Sequence, residues 1–315
     1  MLLSVVIPLF NKERSVARAI ESVLHQSHDE WELVIVDDGS TDRSGREAAA
    51  YLSHRRISIV RQDNAGVSAA RNSGVLASRG DYVCFLDADD EWSPNHLANL
   101  ASLIRLNPAA VLFTAKSMRV DESGQFSLPR GEDEPAYPGK LDDFFETYRR
   151  CSLVVNSSSA CVPRHAFNAM GGFPNGKTTG EDVYVWFRLA GMGDVMFCPE
   201  PSVTVHLDGE NRSAARKNPL LPYQIEYFLD EGRIVDFPDW QRTQALKALL
   251  RSALLNCAGA SLGGNRRLAF AYLRPVAKYS LFSAAAVAVI AVAPKPVLKC
   301  AQAYRRRSTS RSEAR

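Results

Sequence analysis

Three carboxylates in one short run are the residues best suited to chemistry in this chain. Asp87, Asp89 and Asp90 directly follow the apolar run 82–86, which has the pattern of a buried strand. Acids this close together repel one another unless a cation lies between them, and Mg²⁺ or Mn²⁺ binds carboxylate oxygens together with a substrate's phosphates. The run therefore predicts a divalent metal site. A solvated loop that caps the next helix is the alternative.

Two further acidic pairs stand where an α/β sheet can place ligands. Asp37 and Asp38 end a second apolar run, and ligands of open α/β sheets bind at the carboxyl ends of the strands, where a carboxylate can accept hydrogen bonds from a base or a ribose. Glu181 and Asp182 open a predicted helix, and one of them can act as a general base. The alternatives are a helix-capping turn for the first pair and complementation of the helix dipole for the second.

Three other motif patterns would indicate different enzymes. Residues 171–178, GGFPNGKT, satisfy the P-loop expression, but the segment before them is helical in pattern, whereas a P-loop follows a buried strand. Residues 259–263, GASLG, satisfy the nucleophile-elbow expression, yet no histidine follows His206 to complete a hydrolase triad. No GxGxxG follows a predicted strand, so a Rossmann dehydrogenase is not supported.

The elements that must position these residues alternate between strand and helix, which is typical of a doubly wound α/β sheet. The predicted strands lie at 4–9, 32–36, 57–61, 82–86, 110–114 and 158–162. The predicted helices lie around 16–24, at 66–78, from an N-cap at Ser93 to about 107, and from about 181. Residues 121–140 are rich in Gly, Pro and acids and are predicted to form a surface loop that can fold over a substrate.

The chain beyond residue 217 has a helical pattern and ends in an apolar segment with a basic tail. Residues 281–293, LFSAAAVAVIAVA, are about two-thirds as long as a helix that crosses a bilayer. The tail that follows this segment contains one acidic residue, Glu313, and seven basic residues: Lys295, Lys299, Arg305, Arg306, Arg307, Arg311 and Arg315. This composition favours a helix on an anionic leaflet, where each nearby cation contributes about 1 kcal/mol. A buried helix that caps the domain is the alternative.

Composition restricts the class of protein and its compartment. With 315 residues and 23% charged residues, the chain fits a folded enzyme rather than a disordered or polytopic membrane protein. The six cysteines form no CxxC pair, so we expect reduced thiols rather than a zinc site or a disulfide framework. The N-terminus lacks the regions of a signal peptide, and we expect the protein to stay in the cytosol.

Five of these segments stand in the order found in a known family. They are SVVIPLFN at 4–11, VDDGSTD at 36–42, NAGVSAARN at 64–72, DADD at 87–90 and GED at 180–182. Through them the first 210 or so residues resemble the family 2 glycosyltransferases of the GT-A fold. The resemblance implies transfer of a sugar from a nucleotide-diphosphate donor, most often a UDP-sugar, to an acceptor hydroxyl, with inversion and with Mg²⁺ or Mn²⁺ as cofactor.

The same resemblance implies roles for individual residues. Asp89 and His206 would bind the metal, and Asp182 would be the base that deprotonates the acceptor hydroxyl. Arg212 and Ser213 would contact phosphate. The donor site would be lined by six residues: Pro8, Phe10 (where the family often has Tyr), Asp38, Asn64, Arg71 and Asp87.

The predicted organisation has three parts. Residues 1–215 form a GT-A-type α/β domain, a doubly wound mixed sheet with helices on both faces, whose donor half ends at about 115 and whose acceptor half occupies 116–215. Residues 216–280 form a helical extension, and 281–315 form the membrane-associated segment and tail.

The predicted partners follow from the same organisation. They are a nucleotide-sugar donor, a saccharide or lipid-linked acceptor, as in cell-surface polysaccharide or glycolipid synthesis, and an anionic inner-leaflet lipid. We expect a peripheral location on the cytoplasmic face of the membrane and no nucleic-acid partner. The alternatives are a P-loop nucleotide hydrolase, in which Lys177 would be essential, and a non-catalytic nucleotide-sugar-binding module.

Overall fold

The structure is a computed structural model that describes residues 1–121, 123–127, 137–207 and 220–299. It divides into two compact units, Met1–Arg216 and Lys217–Arg315. The predicted phosphate contacts Arg212 and Ser213, and the part of the basic tail from residue 300 onward, lie outside the described residues. All nine residues predicted for the donor, metal and base sites lie in the first unit and are described.

One mixed sheet organises the first unit. Its strands within the described residues are β1 Leu3–Leu9, β2 Trp31–Asp38, β3 Ile57–Gln62, β4 Tyr82–Phe85, β5 Glu91–Trp92, β6 Leu112–Val120, β7 Phe126–Ser127, β8 Gly139–Lys140, β9 Ala160–Pro163 and β10 Val195–His206. They are ordered β3-β2-β1-β4-β9-β6-β10-β5, with β7 beside β6 and β8 beside β10. Strands β3, β2, β1 and β4 are parallel, and β9 is antiparallel to its neighbours β4 and β6.

Helices cover both faces of this sheet, as predicted. They are α1 Val16–Leu24, α2 Ser44–Ala49, α3 Val67–Ala77, α4 His96–Leu106, α5 Phe144–Arg150, α6 Arg164–Met170 and α7 Glu181–Ala190. Successive strand residues point to opposite faces. Leu33 and Ile35 therefore join the core formed with α1 and α4, whereas Val34 packs with Ala70 of α3. Gly74 lets α3 approach β1, because a Cβ there would lie 2.3 Å from Val6 Cγ1.

Three segments differ from the prediction. The strand β10 continues through Pro199 and Pro201, which remove two ladder donors, and its register against β6 shifts between Cys198 and Val203. The predicted 121–140 loop contains two short strands, β7 and β8, among its described residues. The helix α4 begins at His96 instead of directly after Ser93.

The second unit is helical, which confirms the predicted C-terminal extension. Its helices are α8 Tyr223–Ile225, α9 Asp239–Leu262, α10 Arg266–Ala271, α11 Leu273–Ala277 and α12 Leu281–Val292, with a π-helical turn at Glu226–Asp230 and a 3₁₀ turn at Arg233–Asp236. The buried face of α9 repeats every four residues and combines one leucine with small residues: Ala245, Leu249, Ala253, Cys257 and Ser261. Across the described part of the chain, no helix combines the length and the apolar character needed to span a bilayer.

Candidate active site

A cleft of about 270 Å³ opens where β1, β2 and β4 end, beside the first turns of α3 and α7. Eight of the nine predicted site residues line it: Pro8, Phe10, Asp38, Asn64, Arg71, Asp87, Asp89 and His206. The ninth, Asp182, is not part of the lining, but its neighbour Glu181 is. Five separate chain segments therefore deliver their predicted residues to one cavity, as expected for the carboxyl ends of neighbouring strands.

Asp38 organises one wall of the cleft. One carboxylate oxygen accepts hydrogen bonds from Gln62 Nε2 at 2.7 Å and from the Ala65 amide at 2.9 Å, and the other accepts from the Gly66 amide at 2.9 Å. These bonds fix the segment that presents Asn64 to the cleft. The carboxylate is thus engaged by the protein itself, which the sequence did not indicate.

Arg71 links the acidic run to the start of α7. Its guanidinium Nη2 lies 2.7 Å from Asp87 Oδ1 and its Nη1 lies 3.5 Å from Glu181 Oε1. The guanidinium also lies over the Phe173 ring, 5.0 Å from the ring centroid. The Arg71 side chain is only 4% exposed, so these two carboxylates supply the charge compensation that a buried cation needs.

The two acids in the first turn of α7 have raised pKa values. Burial raises the pKa of Glu181 from its ordinary 4.5 to about 7, the charge of Asp182 adds to the effect, and Arg71 opposes it. Burial also raises the pKa of Asp182 above its ordinary 3.8, again against Arg71. Desolvation penalises the charged form of a carboxyl, so both groups hold protons more tightly than exposed acids do. A carboxylate tuned in this direction is suited to accept a proton near neutral pH.

The central acid of the run, Asp89, is paired with a cation. Lys12 Nζ lies 2.6 Å from Asp89 Oδ2, and the two side chains are 13% and 12% exposed. Arg18 Nη2 donates to the main-chain oxygen of Asp89 at 2.6 Å. Lys12 lines the cleft but was not among the residues predicted from sequence. Its position directly after the 4–11 segment was the available signal.

Asp90 anchors the run to the rest of the sheet. Its carboxylate accepts hydrogen bonds from the Ser158 hydroxyl and, at 3.2 Å, from the His206 amide. The Ser158 hydroxyl oxygen in turn accepts the Asp87 amide at 3.1 Å. Burial, followed by the charges of Asp87 and Asp89, raises the pKa of Asp90 well above its ordinary value. Asp90 and Ser158 therefore hold the backbone that presents Asp87 and Asp89.

His206 reaches the same cleft from the end of β10. Its Nε2 lies 3.1 Å from Glu91 Oε1, and its side chain is largely buried. The imidazole is thus close to the acidic run, as predicted, and its partner there is the Glu91 carboxylate.

The acidic run offers ligands that suit Mg²⁺ or Mn²⁺. The ammonium of Lys12 already stands 2.6 Å from an Asp89 oxygen, so a cation is accommodated there. No cluster of three or more His, Cys, Asp and Glu side chains able to hold a metal is present among the described residues. Because Mg²⁺ usually takes one or two carboxylates and completes its shell with water and substrate phosphates, the residues present fit a metal that arrives with a nucleotide.

The segment that satisfies the P-loop expression does not have P-loop geometry. Gly171 follows the helix α6 instead of a strand, and the next helix, α7, opens at Glu181, beyond the end of the motif. A phosphate-binding P-loop needs a strand before it and a helix beginning at its lysine. The segment is a turn in which Gly171 and Gly172 have φ values of +91° and +74°.

The mixed sheet, with an acidic cleft at the ends of its parallel strands, defines an open-sheet α/β protein whose cleft lies where proteins of this class bind their ligands. The sequence profile described as glycosyl transferase family 2 matches residues 4–160. The chain belongs to this family, as its five ordered motifs predicted.

Two relatives illustrate the extent of the likeness. A glycosyltransferase of Rickettsia bellii, itself uncharacterized, is 26% identical over 257 residues, which are 80% of this chain and 36% of the relative. A candidate colanic acid biosynthesis glycosyl transferase, WcaA of Escherichia coli (strain K12), is 38% identical over 99 residues, 31% of this chain and 36% of the relative. The chain thus spans about a third of the length of these curated relatives.

A solved structure shares the fold. The crystal structure of S. aureus TarS 1–349 in complex with UDP-GlcNAc superposes with a TM-score of 0.62 at 15% identity, over 92% of this chain and 91% of that chain. This likeness confirms the predicted GT-A-type α/β fold with a helical C-terminal region.

Proposed function

We propose that this chain transfers a sugar from a UDP-sugar donor to an acceptor hydroxyl, with a divalent metal and with inversion at the anomeric carbon. The observation that carries the proposal is that one cleft joins the acidic run after β4 to the first turn of α7. Arg71 makes this connection, because it contacts both Asp87 and Glu181. The same cavity therefore combines a carboxylate that pairs with a cation, Asp89, with Glu181, whose helical turn also carries Asp182.

The relatives support the donor and the setting of this reaction. The TarS crystal structure holds UDP-GlcNAc, and the names of two relatives place them in colanic acid and teichuronic acid biosynthesis. By analogy, we propose that this chain acts in cell-surface polysaccharide or glycolipid synthesis, on a saccharide or lipid-linked acceptor.

The proposed reaction exchanges one carbon–oxygen bond for another. The acceptor oxygen bonds to the anomeric carbon while the bond from that carbon to the diphosphate breaks, and UDP leaves with the electron pair. The acceptor's proton passes to Asp182, whose raised pKa suits a general base. A divalent metal, when bound, offsets the negative charge that develops on the diphosphate. In this proposal Asp89 and His206 would hold the metal.

The donor's nucleoside would lie against the rest of the cleft. The residues that we propose for this role are Pro8, Phe10, Asp38, Asn64, Arg71 and Asp87. Phe10 offers a ring face for the base, and Asp38 holds the wall that carries Asn64.

Release of UDP from a panel of UDP-sugars tests the proposal. We expect the purified protein to release UDP from one donor in the presence of Mn²⁺ or Mg²⁺, and EDTA to abolish the release. Asp89→Ala should reduce the rate at least about 100-fold, whereas Asp142→Asn, at an exposed position, is the control and should not. Hydrolysis of ATP that requires Lys177 and not Asp89 would contradict the proposal and support the nucleotide hydrolase.

We also infer that α12 docks the protein on the cytoplasmic face of an anionic membrane. The helix has one polar side chain, Ser283, and it buries Ala284, Val287 and Ala291. Its remaining face is apolar and solvent-exposed, with exposed fractions of 81% for Leu281, 87% for Phe282, 64% for Val289 and 56% for Val292. An exposed apolar face of this kind is suited to the boundary between lipid headgroups and acyl chains.

Cations beside α12 favour an anionic lipid surface over an apolar protein partner. Lys295 follows the end of the helix and lies against the turn between α9 and α10, because a Cβ on Gly264 would be 3.2 Å from its Nζ. Arg266 and Arg267, directly after that turn, are exposed. Each such cation near a negatively charged leaflet contributes about 1 kcal/mol to binding.

Vesicle flotation tests this second proposal. We expect the protein to float with phosphatidylcholine vesicles that contain phosphatidylglycerol, and less with phosphatidylcholine alone or at high salt. Phe282→Ser should weaken flotation, whereas Leu76→Ser, at a position 88% exposed on α3, is the matched control and should not. Flotation that is insensitive to both salt and Phe282→Ser would contradict docking through α12.

A further inference from the structure

We propose that Lys12 occupies the metal's position at Asp89 in the donor-free protein, and that metal binding releases its ammonium to contact the donor's diphosphate. The inference rests on the proposed function, because it concerns a nucleoside diphosphate and a metal in the same cleft. It assigns a role to a residue that the predicted site did not include.

The backbone around Lys12 is held in a fixed and unusual conformation. Asn11 has a φ of +51°, in the left-handed region that non-glycine residues rarely adopt. Its Oδ1 accepts the Thr41 amide at 2.8 Å, and its own amide donates to Ser40 Oγ at 3.2 Å. The next amide, that of Lys12, donates to Ser44 Oγ at 2.6 Å. Asparagine is one of the few residues other than glycine that adopt this conformation readily, and here the fixed turn directs the Lys12 side chain into the cleft.

The pair that Lys12 forms is tight and shielded from solvent. Its Nζ lies 2.6 Å from Asp89 Oδ2, and both side chains are about one-eighth exposed. A charge-assisted hydrogen bond in such surroundings is about twice as strong as a neutral one. A metal ion that takes the Asp89 oxygen must displace this ammonium, so Lys12 and the metal compete for the same ligand.

The charge of the cleft explains where the displaced ammonium would go. The ionisable lining consists of five acids and two cations besides His206: Asp38, Asp87, Asp89, Asp90, Glu181, Lys12 and Arg71. A diphosphate entering this acidic lining needs cations, and Arg71 is engaged by Asp87 and Glu181. Lys12 has a flexible four-carbon stem and a compact charge that can turn toward a phosphate.

Competition and release together couple the metal to the nucleotide. A metal that frees Lys12 strengthens diphosphate binding, and by thermodynamic reciprocity a diphosphate that holds Lys12 strengthens metal binding. Removing the ammonium therefore shifts the two affinities in opposite directions. Nonspecific damage to the cleft would weaken binding of both the metal and the diphosphate. The directions of the two affinity changes therefore distinguish the proposed competition from such damage.

Titration calorimetry on Lys12→Met tests the direction of change in the Mn²⁺ and UDP affinities. We expect the nucleotide-free variant to bind Mn²⁺ at least about tenfold more tightly than the parent, because the competing hydrogen bond to a charged group is lost. With saturating Mn²⁺, the same variant should bind UDP about tenfold more weakly. Lys12→Arg, which keeps the charge, should retain more of the parent's UDP affinity. Unchanged Mn²⁺ affinity, or unchanged UDP affinity, in folded Lys12→Met would overturn the proposal.

Reductive methylation of the unmodified protein gives an independent test if the variant does not fold. We expect Mn²⁺ to accelerate methylation of Lys12, measured by mass spectrometry, and added UDP to slow it again. Lys140, which pairs with Asp194 at 2.7 Å outside the cleft, is the control and should respond to neither. Methylation of Lys12 that ignores Mn²⁺ would overturn the proposal. Absence of any UDP binding by the parent would instead remove the proposed function, while the Mn²⁺ response at Lys12 could still be read.

Discussion

The Arg71 guanidinium lies 2.7 Å from the Asp87 carboxylate. This contact connects the helix α3, which lies beside the cleft, to the acidic run after β4. The same guanidinium reaches Glu181, a residue 110 positions away in the chain. A buried cation that compensates two acids is a structural requirement as well as a feature of the proposed donor site. Its removal should therefore affect both stability and binding.

Arg71→Met should destabilise the fold strongly. The substitution leaves Asp87 and Glu181 without their buried cation, and loss of one partner from a buried ion pair costs about 3 kcal/mol or more. Urea denaturation gives the free energy of unfolding. Arg61→Met, at a position 70% exposed and 4.0 Å from Asp37, is the control and should cost less than about 1 kcal/mol. Equal losses in the two variants would show that Arg71 is not an essential counter-ion.

Glu181→Gln should change how stability depends on pH. The folded protein raises the pKa of Glu181 from 4.5 to about 7, so between these values the folded chain binds more protons than the unfolded chain. Stability contributed by this group is therefore present at low pH and is lost as the pH rises through that window. Gln does not titrate. The melting temperature of the variant relative to that of the parent should therefore rise between about pH 4.5 and about pH 7.

Thermal melts across this window measure the effect. Glu200→Gln, which removes an exposed carboxylate, is the matched control. A constant difference in melting temperature between parent and Glu181→Gln would mean that Glu181 titrates as an ordinary acid.

Asp182→Asn should separate catalysis from donor binding. If Asp182 takes the acceptor's proton, its amide variant should lose kcat by at least about 100-fold, because general-base help is removed from the transition state. The affinity for UDP with Mn²⁺ should stay within about twofold of the parent's, since Asp182 lies outside the cleft lining. Single-turnover transfer and UDP titration give the two quantities. If Glu181→Gln abolished sugar transfer and Asp182→Asn transferred at the parent's rate, the general base would be Glu181 instead of Asp182.

Ser158→Ala should loosen the acidic run. The Ser158 hydroxyl donates to Asp90 and accepts the Asp87 amide at 3.1 Å, so its removal leaves a buried carboxylate with one donor fewer. We expect a loss of about 2 kcal/mol in stability and weaker Mn²⁺-dependent UDP binding. Ser102→Ala, whose hydroxyl bonds to Ala98 on the exposed side of α4, should have little effect on either. Unchanged UDP affinity would show that Ser158 does not position the run.

The strand ends of the donor side could be predicted because their signals are local. Apolar runs at β1, β2 and β4 each stop at polar residues, and parallel strands of one sheet place those ends together. This reasoning pointed to Asp38 and Asp87, and the family resemblance added Pro8. The structure has all three residues in one cleft. The helical second unit was predictable because the sequence beyond residue 217 has a helical pattern.

The pairings within the cleft could not be predicted, because they depend on how distant segments meet. Lys12 and Asp89 are 77 positions apart, and the choice of this lysine follows from the turn at Asn11, whose φ is set by contacts with another loop. The strand β10 could not be predicted either, because Pro199 and Pro201 argue against a strand. In the structure, a register shift between Cys198 and Val203 accommodates both prolines.

Calorimetric titration of the purified protein with UDP, GDP, CDP and ADP, with and without Mn²⁺, tests the central proposal most directly. The cleft with its acidic run predicts that UDP binds in a Mn²⁺-dependent manner and that Asp89→Ala abolishes this dependence. Failure of all four nucleotides to bind, or Mn²⁺-dependent binding of ADP alone, would contradict a UDP-sugar-dependent transferase.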